Sequence, residues 1–345
     1  MALLEVPLLE VPLLEVEDLS VEFPTRRGVL KALDRVSFTI ETGEVLGVVG
    51  ESGAGKSLTG AAIIGLLERP GRIAGGRILL SGRRIDNLPQ DELRRIRGRR
   101  IGAIFQDPLT TLNPLYTVGR QLAETMQVHL GLPDAEARRR AVSWLEQVGI
   151  PAPAERVGAY PHEFSGGMRQ RVVIALALCA EPELVIADEP TTALDVSIQA
   201  QIITLLRRLA REHGTAVMLI THDMGVIAET ADRVAVMYAG RIVELGPVQR
   251  VIRHPAHPYT EGLMASIPTL EGRPGGRPGG RLCRLRQIEG AMPRLSAIPP
   301  GCPFSPRCPK VFARCTEVRP ELMAAGETEA ACWLYAPALA QAAHG

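Results

Sequence analysis

Four largely apolar runs punctuate the chain, at Val45 to Val49, Ile101 to Phe105, Leu184 to Ala187 and Ala216 to Thr221. Short runs without polar alternation predict strands buried on both faces of a parallel sheet. Upstream, Leu13 to Glu44 alternates in two stretches, as at Val36, Phe38 and Ile40, which predicts an antiparallel sheet. Helical spacing takes over in three places. Leu58 to Glu68, with Ala61, Ile63, Ile64, Leu66 and Leu67 apolar, predicts a helix closed by Pro70. Val118 to Leu130 and Asp134 to Val148 predict amphipathic helices, and Val234 to Leu245 predicts a hairpin turning at Ala239-Gly240.

Between the first apolar run and the first helix lie Gly50-Glu51-Ser52-Gly53-Ala54-Gly55-Lys56-Ser57, spaced G-x-x-x-x-G-K-[ST]. The three glycines let the backbone, through Ser52 and Ala54 and on to Leu58, wrap closely around phosphate oxygens at a helix N-terminus. Lys56 suits the outer phosphates, and the Ser57 hydroxyl suits a magnesium ion shared with a nucleotide. A second element is Leu184-Val185-Ile186-Ala187-Asp188-Glu189, a buried strand delivering two acids at its carboxyl end. Asp188 fits a metal shell and Glu189 a general base that orients water. Alone, that run would read as a core strand followed by a solvated acidic turn.

Phe164-Ser165-Gly166-Gly167-Met168 opens a further helix, running through Gln170 to Ala180, with an anion-binding start. This stretch closely resembles the signature loop of ATP-binding-cassette ATPases, departing from it at Phe164 and Met168, where Leu and Gln are commoner. Gln106 stands where the family has its glutamine loop, His222 where it has its switch histidine, and Ala193-Leu194-Asp195 resembles its D-loop. The resemblance implies an α/β fold: a P-loop NTPase cassette with a RecA-like core, an N-terminal antiparallel β subdomain, an inserted helical subdomain and a small Cys-containing C-terminal extension. It implies ATP and Mg2+ as ligands, with Ser57, Gln106 and Asp188 around the metal, Glu189 activating water and His222 on the γ-phosphate. Ser165, Gly166 and Gly167, with Asp195, would act at an ATP shared between two cassettes. Phe23 occupies the place of the aromatic that stacks on adenine; by itself it reads as an edge-strand core residue.

The segment Asp107 to Pro114 and the stretch His254-Pro255-Ala256-His257-Pro258-Tyr259-Thr260 are similar to those of oligopeptide and dipeptide importer ATPases, a group that includes importers of nickel and other small solutes. The resemblance covers Leu13 to Trp333. It implies a second ATPase subunit, either a paralogue or another copy, two permease subunits, an extracytoplasmic solute-binding protein, and a peripheral location on the cytoplasmic face of the inner membrane. Asp107 to Leu115 would be the docking surface for the permeases; read alone it is a proline-bounded loop. His254 and His257 are spaced H-x-x-H, which here reads as a solvated turn rather than a metal site.

Composition narrows the alternatives. Of 345 residues, 46% are hydrophobic, enough for a sizeable core, while 39 basic and 38 acidic residues leave a net charge of +1. That balance gives no global attraction to nucleic acid or anionic lipid, so no nucleic-acid partner is expected. A non-transport cassette ATPase acting on nucleic acid or ribosomes is the competing class; paired cassettes, coiled-coil insertions or basic arms would mark it, and none is seen. The apolar run Val172 to Ala180 is too short to cross a bilayer.

Both ends are unusual. Leu3-Leu4-Glu5-Val6-Pro7 repeats at Leu8 to Pro12, which reads as a duplicated extension. Glu271 to Arg281 is a Gly-Arg-Pro linker by composition. Cys302, Cys308, Cys315 and Cys332 follow, spaced C-x5-C-x6-C-x16-C. The spacing lacks the C-x-x-C pairs of common zinc sites, whereas four thiolates suit a [4Fe-4S] cluster, and peptide-importer relatives with this cysteine run imply the cluster too. Four unliganded thiols in a compact cap remain the alternative on spacing alone. The chain thus divides into an extension at 1–12, a nucleotide-binding core with the antiparallel subdomain over 13–106 and 172–262, a helical subdomain over 107–171, and a linker with a Cys-containing region over 263–345.

Overall fold

The computed structural model describes residues 11–26, 28–191, 195–266 and 287–336. The duplicated extension up to residue 10, the Gly-Arg-Pro linker, Cys283, and Ala193 and Leu194 lie outside the described residues.

Two sheets carry the fold. The smaller is antiparallel, in the order Gly28–Ile40, Leu14–Thr25, Arg72–Leu80, Arg83–Arg84. The larger runs Met323–Ala325, Thr328–Ala330, Arg241–Pro247, Arg233–Tyr238, Val45–Val49, Ala216–Ile220, Leu184–Asp188, Ile101–Ile104. From Arg233–Tyr238 to Ile101–Ile104 its strands are parallel. All five residues of Val45–Val49 and of Ala216–Ile220 are buried, as expected of strands covered on both faces.

The two-residue period of a strand divides these side chains between two cores. Leu46, Val48, Ile186, Met218 and Ile220 pack with Leu14, Val36 and Ile78 of the antiparallel sheet. Their neighbours Val45, Val49, Val185, Ala187, Val217 and Leu219 pack on the helical side, with Leu122, Met126, Trp144, Leu145 and Ile174. One strand therefore ties together the two layers that hold the site.

The helix over Val118–Leu130 has the predicted bounds, and Asp134–Gln147 ends one residue before the predicted end. Thr117 caps the first, its side chain accepting from the Arg120 N–H, and Gly131 closes it in the left-handed conformation. The helix expected over Leu58 to Glu68 is shorter and starts earlier, at Lys56–Ile63. Gly65, at φ 66°, is the cause. Its N–H reaches Ala62 O and the Leu66 N–H reaches Ala61 O, a paired closure that stops the helix well before Pro70. Arg97 seals the end by donating to the carbonyls of Ile64 and Gly65, both at 2.7 Å. The hairpin is as predicted, with Tyr238 opposite Arg241 and positive φ at Ala239 and Gly240.

After the helix Pro258–Ala265, the described chain resumes at residue 287 and lies along the same sheet. Thr328–Ala330 pairs antiparallel with Arg241–Pro247, and Arg319 Nη1 donates to Asp34 Oδ2 at 2.7 Å, linking this segment to the antiparallel sheet.

Candidate functional site

The predicted residues emerge from the carboxyl ends of four neighbouring parallel strands. Gly50 follows Val45–Val49, His222 follows Ala216–Ile220, Asp188 ends Leu184–Asp188 with Glu189 next, and Gln106 follows Ile101–Ile104. Such a rim is where an open α/β sheet places its ligand. Gly50 could not be otherwise: at φ 152°, a Cβ there would sit 2.3 Å from Met237 O.

Lys56 is 5% exposed, and its ammonium donates to the carbonyls of Gly50 at 2.8 Å and Glu51 at 3.1 Å. Burial pulls its proton affinity below the usual lysine range, while the charges of Glu189 and Asp188 oppose that shift. The Ser57 hydroxyl donates to Asp188 Oδ1 at 2.9 Å. Burial raises the Asp188 pKa, the Ser57 bond lowers it and the Glu189 charge raises it further. Among the described residues, no three His, Cys, Asp or Glu side chains converge to cage an ion by themselves. The Ser57–Asp188 oxygen pair suits magnesium, which takes one or two protein oxygens and completes its shell from phosphates and water.

Glu189 adopts φ 46°, a strained left-handed conformation for a residue with a side chain, and its N–H is held by Ile220 O at 2.9 Å. Its carboxylate accepts from Gln106 Nε2 at 3.2 Å and lies 3.5 Å from His222 Nδ1. Asp223 caps the following helix, Met224–Thr230, by accepting from the Gly225 and Val226 N–H groups, which fixes the backbone next to His222. Gln106 and His222, 116 positions apart, thus meet at the one Glu189 carboxylate.

Of the other predicted residues, Phe23 borders the site and the signature-loop residues lie apart from it. Phe23 is half-buried and lines a cavity of about 320 Å³ together with Ser57, Leu58, Leu67, Phe105 and Asp188. Ser165 is exposed, and its hydroxyl accepts from the Met168 N–H at the start of Gly166–Leu178. Among the described residues, neither Ser165 nor Gly166 and Gly167 hydrogen-bonds the Gly50–Ser57 loop. Asp195 is exposed at the N-cap position of Val196–His213.

The loop has supports that the local pattern did not reveal. The Glu51 N–H donates to Tyr259 Oη at 2.9 Å, and the Glu51 carboxylate accepts from Arg307 Nη1 at 3.0 Å. Arg307 lies 256 positions away, so no periodicity or spacing could have paired the two. Tyr259 lies in the His-Pro stretch, where the expected solvated turn is incorrect on one side. His254 is exposed, but His257 is 1% exposed and caps the Pro258–Ala265 helix, its Nδ1 accepting from the Tyr259 N–H at 3.1 Å. Burial lowers the His257 pKa to about 3, so the ring is a neutral acceptor.

Cys302, Cys308, Cys315 and Cys332 line one small enclosed cavity with His257, Phe304 and Trp333. Burial raises the Cys302 thiol to about 11, and the proximity of three further cysteines pushes it the same way. Cys179 is a buried core residue at the end of the Gly166–Leu178 helix. No helix among the described residues is long and apolar enough to cross a membrane.

Residues 33–192 match a family described as ABC transporter, and residues 243–315 match one described as Oligopeptide/dipeptide transporter, C-terminal region. The oligopeptide transport ATP-binding protein OppD of Haemophilus influenzae is 48% identical, over 92% of this chain and 95% of that protein. The dipeptide transport ATP-binding protein DppD of Bacillus subtilis is 47% identical, over 91% and 92%. Among solved structures, the dimeric ATP-binding cassette MJ0796 in a post-hydrolysis state bound to ADP and Pi aligns with a TM-score of 0.61 at 28% identity, over 68% of this chain and 98% of that one. CbiO1 from Clostridium perfringens, part of the ABC transporter complex cbiONQ, gives the same TM-score at 31% identity, over 71% and 92%.

Proposed function

Because the chain belongs to the ATP-binding-cassette transporter family, in its oligopeptide and dipeptide branch, it is the ATP-hydrolysing subunit of a peptide importer, and we propose that Glu189, held by Gln106 and His222, is its general base. The observation that carries this is the convergence of Gln106 Nε2 and His222 Nδ1 on the strained Glu189 carboxylate.

ATP seats its phosphates on the N–H groups of Gly50, Ser52, Gly53, Ala54, Gly55, Lys56, Ser57 and Leu58. Lys56 then turns from the Gly50 and Glu51 carbonyls to the outer phosphates, exchanging uncharged acceptors for charged ones. Ser57, Gln106 and Asp188 would hold a magnesium ion, which would supply charge neutralisation to the bound polyphosphate. Glu189 accepts the proton of the attacking water, Gln106 and His222 keep its carboxylate aimed, and His222 is exposed enough to reach the γ-phosphate. Phe23 stacks on the adenine.

Ser165, Gly166, Gly167 and Asp195 act on the ATP of a second cassette, a paralogue or another copy, and the closed pair drives two permease subunits fed by a solute-binding protein. The exposed side chains of Phe105 and Leu115, beside and within 107–115, suit an apolar coupling element of the permeases on the cytoplasmic face of the membrane. The Glu189→Gln variant tests the assignment. In the assembled transporter it keeps ATP binding and loses turnover by about 10²- to 10⁴-fold; phosphate release at the unmodified rate would refute it.

Cys302, Cys308, Cys315 and Cys332 hold a [4Fe-4S] cluster in this reading. They line one cavity, and four thiolates are the ligand set such a cluster would take. Anaerobic purification should give absorbance near 400 nm with iron and labile sulfide, lost in Cys308→Ser. Zinc without iron would exclude the cluster.

A further inference from the structure

The phosphate loop has few stiff positions. Gly50, Gly53 and Gly55 all have positive φ, so the backbone that must aim its N–H groups at phosphate carries a high conformational entropy when unsupported. Its own Lys56 holds the carbonyls of Gly50 and Glu51. Further supports come from the C-terminal part of the chain.

At Glu51 both the backbone and the side chain are held. Tyr259 takes the N–H, and Arg307 takes the carboxylate. The Arg307 side chain is 6% exposed and fully committed: Nη1 also meets Tyr238 Oη at 3.3 Å, Nε donates to Glu289 O at 2.9 Å and Nη2 to Ile288 O at 3.3 Å. Tyr238, Tyr259 and Phe304 form a ring cluster behind it, with centroids 4.7 to 5.4 Å apart. At the loop's tip, Met292 lies so near Gly53 that a Cβ there would fall 3.0 Å from Cε. Three contacts from residues 259, 292 and 307 thus bear on residues 51 and 53.

We propose that Arg307 and Tyr259 are positioning residues that latch the phosphate loop from the C-terminal segment and set its affinity for nucleotide. Arg307 bonds Glu51, Tyr238, Ile288 and Glu289, none of them a residue assigned to water activation. The latch therefore acts on binding and leaves the chemical step alone. The inference rests on the ATPase reading above and adds to it a control on ATP affinity that runs through residues far from the loop in sequence.

The test is a KM against kcat split. In the full-length chain carrying Glu189→Gln, a fluorescent ATP analogue measures the dissociation constant without turnover; in the assembled transporter with Glu189 intact, phosphate release gives KM and kcat. Arg307→Ala should weaken binding about tenfold and raise KM in step, with kcat at saturating ATP within about twofold. Arg307→Lys keeps the charge but not the fork, and should lie between. Tyr259→Phe removes one hydroxyl while keeping the ring, and should weaken binding about threefold. The two conservative variants keep the test open if Arg307→Ala fails to fold. Unchanged affinity in both of them overturns the latch while analogue binding by the Glu189→Gln parent keeps the ATPase reading standing. A loss of kcat with KM unchanged also overturns it. No analogue binding by the parent overturns both readings.

Discussion

The phosphate loop and the signature loop are both glycine-bearing helix starts, yet they are supported in opposite ways. Behind the first stand a lysine that is 5% exposed, two acids at strand ends, and an arginine and a tyrosine from the C-terminal segment. At the second, Ser165 is exposed and accepts from the Met168 N–H, and the Arg169 guanidinium donates to the carbonyls of Pro161 and His162. A helix start with a buried cation can hold polyphosphate by itself. One that offers a hydroxyl and N–H groups alone can only complete a phosphate already held elsewhere.

That difference predicts which substitutions act on the subunit's own ATP and which act across an interface. Lys56→Ala should have the larger effect. It removes the charge from the outer phosphates and should weaken ATP binding to the isolated chain by about 10²- to 10³-fold, corresponding to about 3–4 kcal/mol. Ser165→Ala should leave that binding as it was and lower turnover of the assembled transporter about 10- to 100-fold, from one charge-assisted hydrogen bond worth about 1.5–3 kcal/mol. Equilibrium binding on the single chain and phosphate release from the complex, measured for both variants, separate the two loops. A Ser165→Ala chain that fails to bind ATP would erase the distinction.

How far the sequence foretold this arrangement depends on the range of the forces involved. The phosphate loop, the acid pair at 188 and 189, the helix over Val118–Leu130 and the hairpin turning at Ala239-Gly240 were legible because each is fixed by neighbours: glycines where φ is positive, apolar periods, and a cap such as Thr117. The end of the first helix was misplaced because Gly65 stopped it before Pro70. Nothing local pairs Glu51 with Arg307, or buries His257 while leaving His254 exposed. Those outcomes depend on packing of the C-terminal segment against the sheet, which no period or spacing encodes. The four cysteines were legible as a group, and the structure places them around one cavity.

The support behind the phosphate loop also makes it the more acid-sensitive of the two. His257 is buried as a neutral ring with its pKa lowered to about 3, and its Nδ1 must stay unprotonated to accept from the Tyr259 N–H. In the unfolded chain the same ring takes a proton near pH 6.5. The sign follows from linkage. Above that pH neither state is protonated and the contribution to stability is complete. Below it the unfolded state binds a proton that the folded state refuses, so stability falls by about 1.4 kcal/mol per pH unit, until the ring titrates in the fold near pH 3. Thermal melts at pH 7 and pH 5.5 should show this loss in the native chain and a smaller one in His257→Gln; equal slopes would rule out the histidine as its source. Tyr259 is the residue that holds the Glu51 N–H, so local openings that expose His257, favoured by a proton below pH 6.5, should free the phosphate loop first. Hydrogen exchange at the amides of residues 51–57 should quicken between those pH values, after correction for intrinsic rates, while residues 165–168 stay unchanged. Equal quickening at both loops would mean that the acid effect is global, and that the C-terminal support is not specific to the phosphate loop.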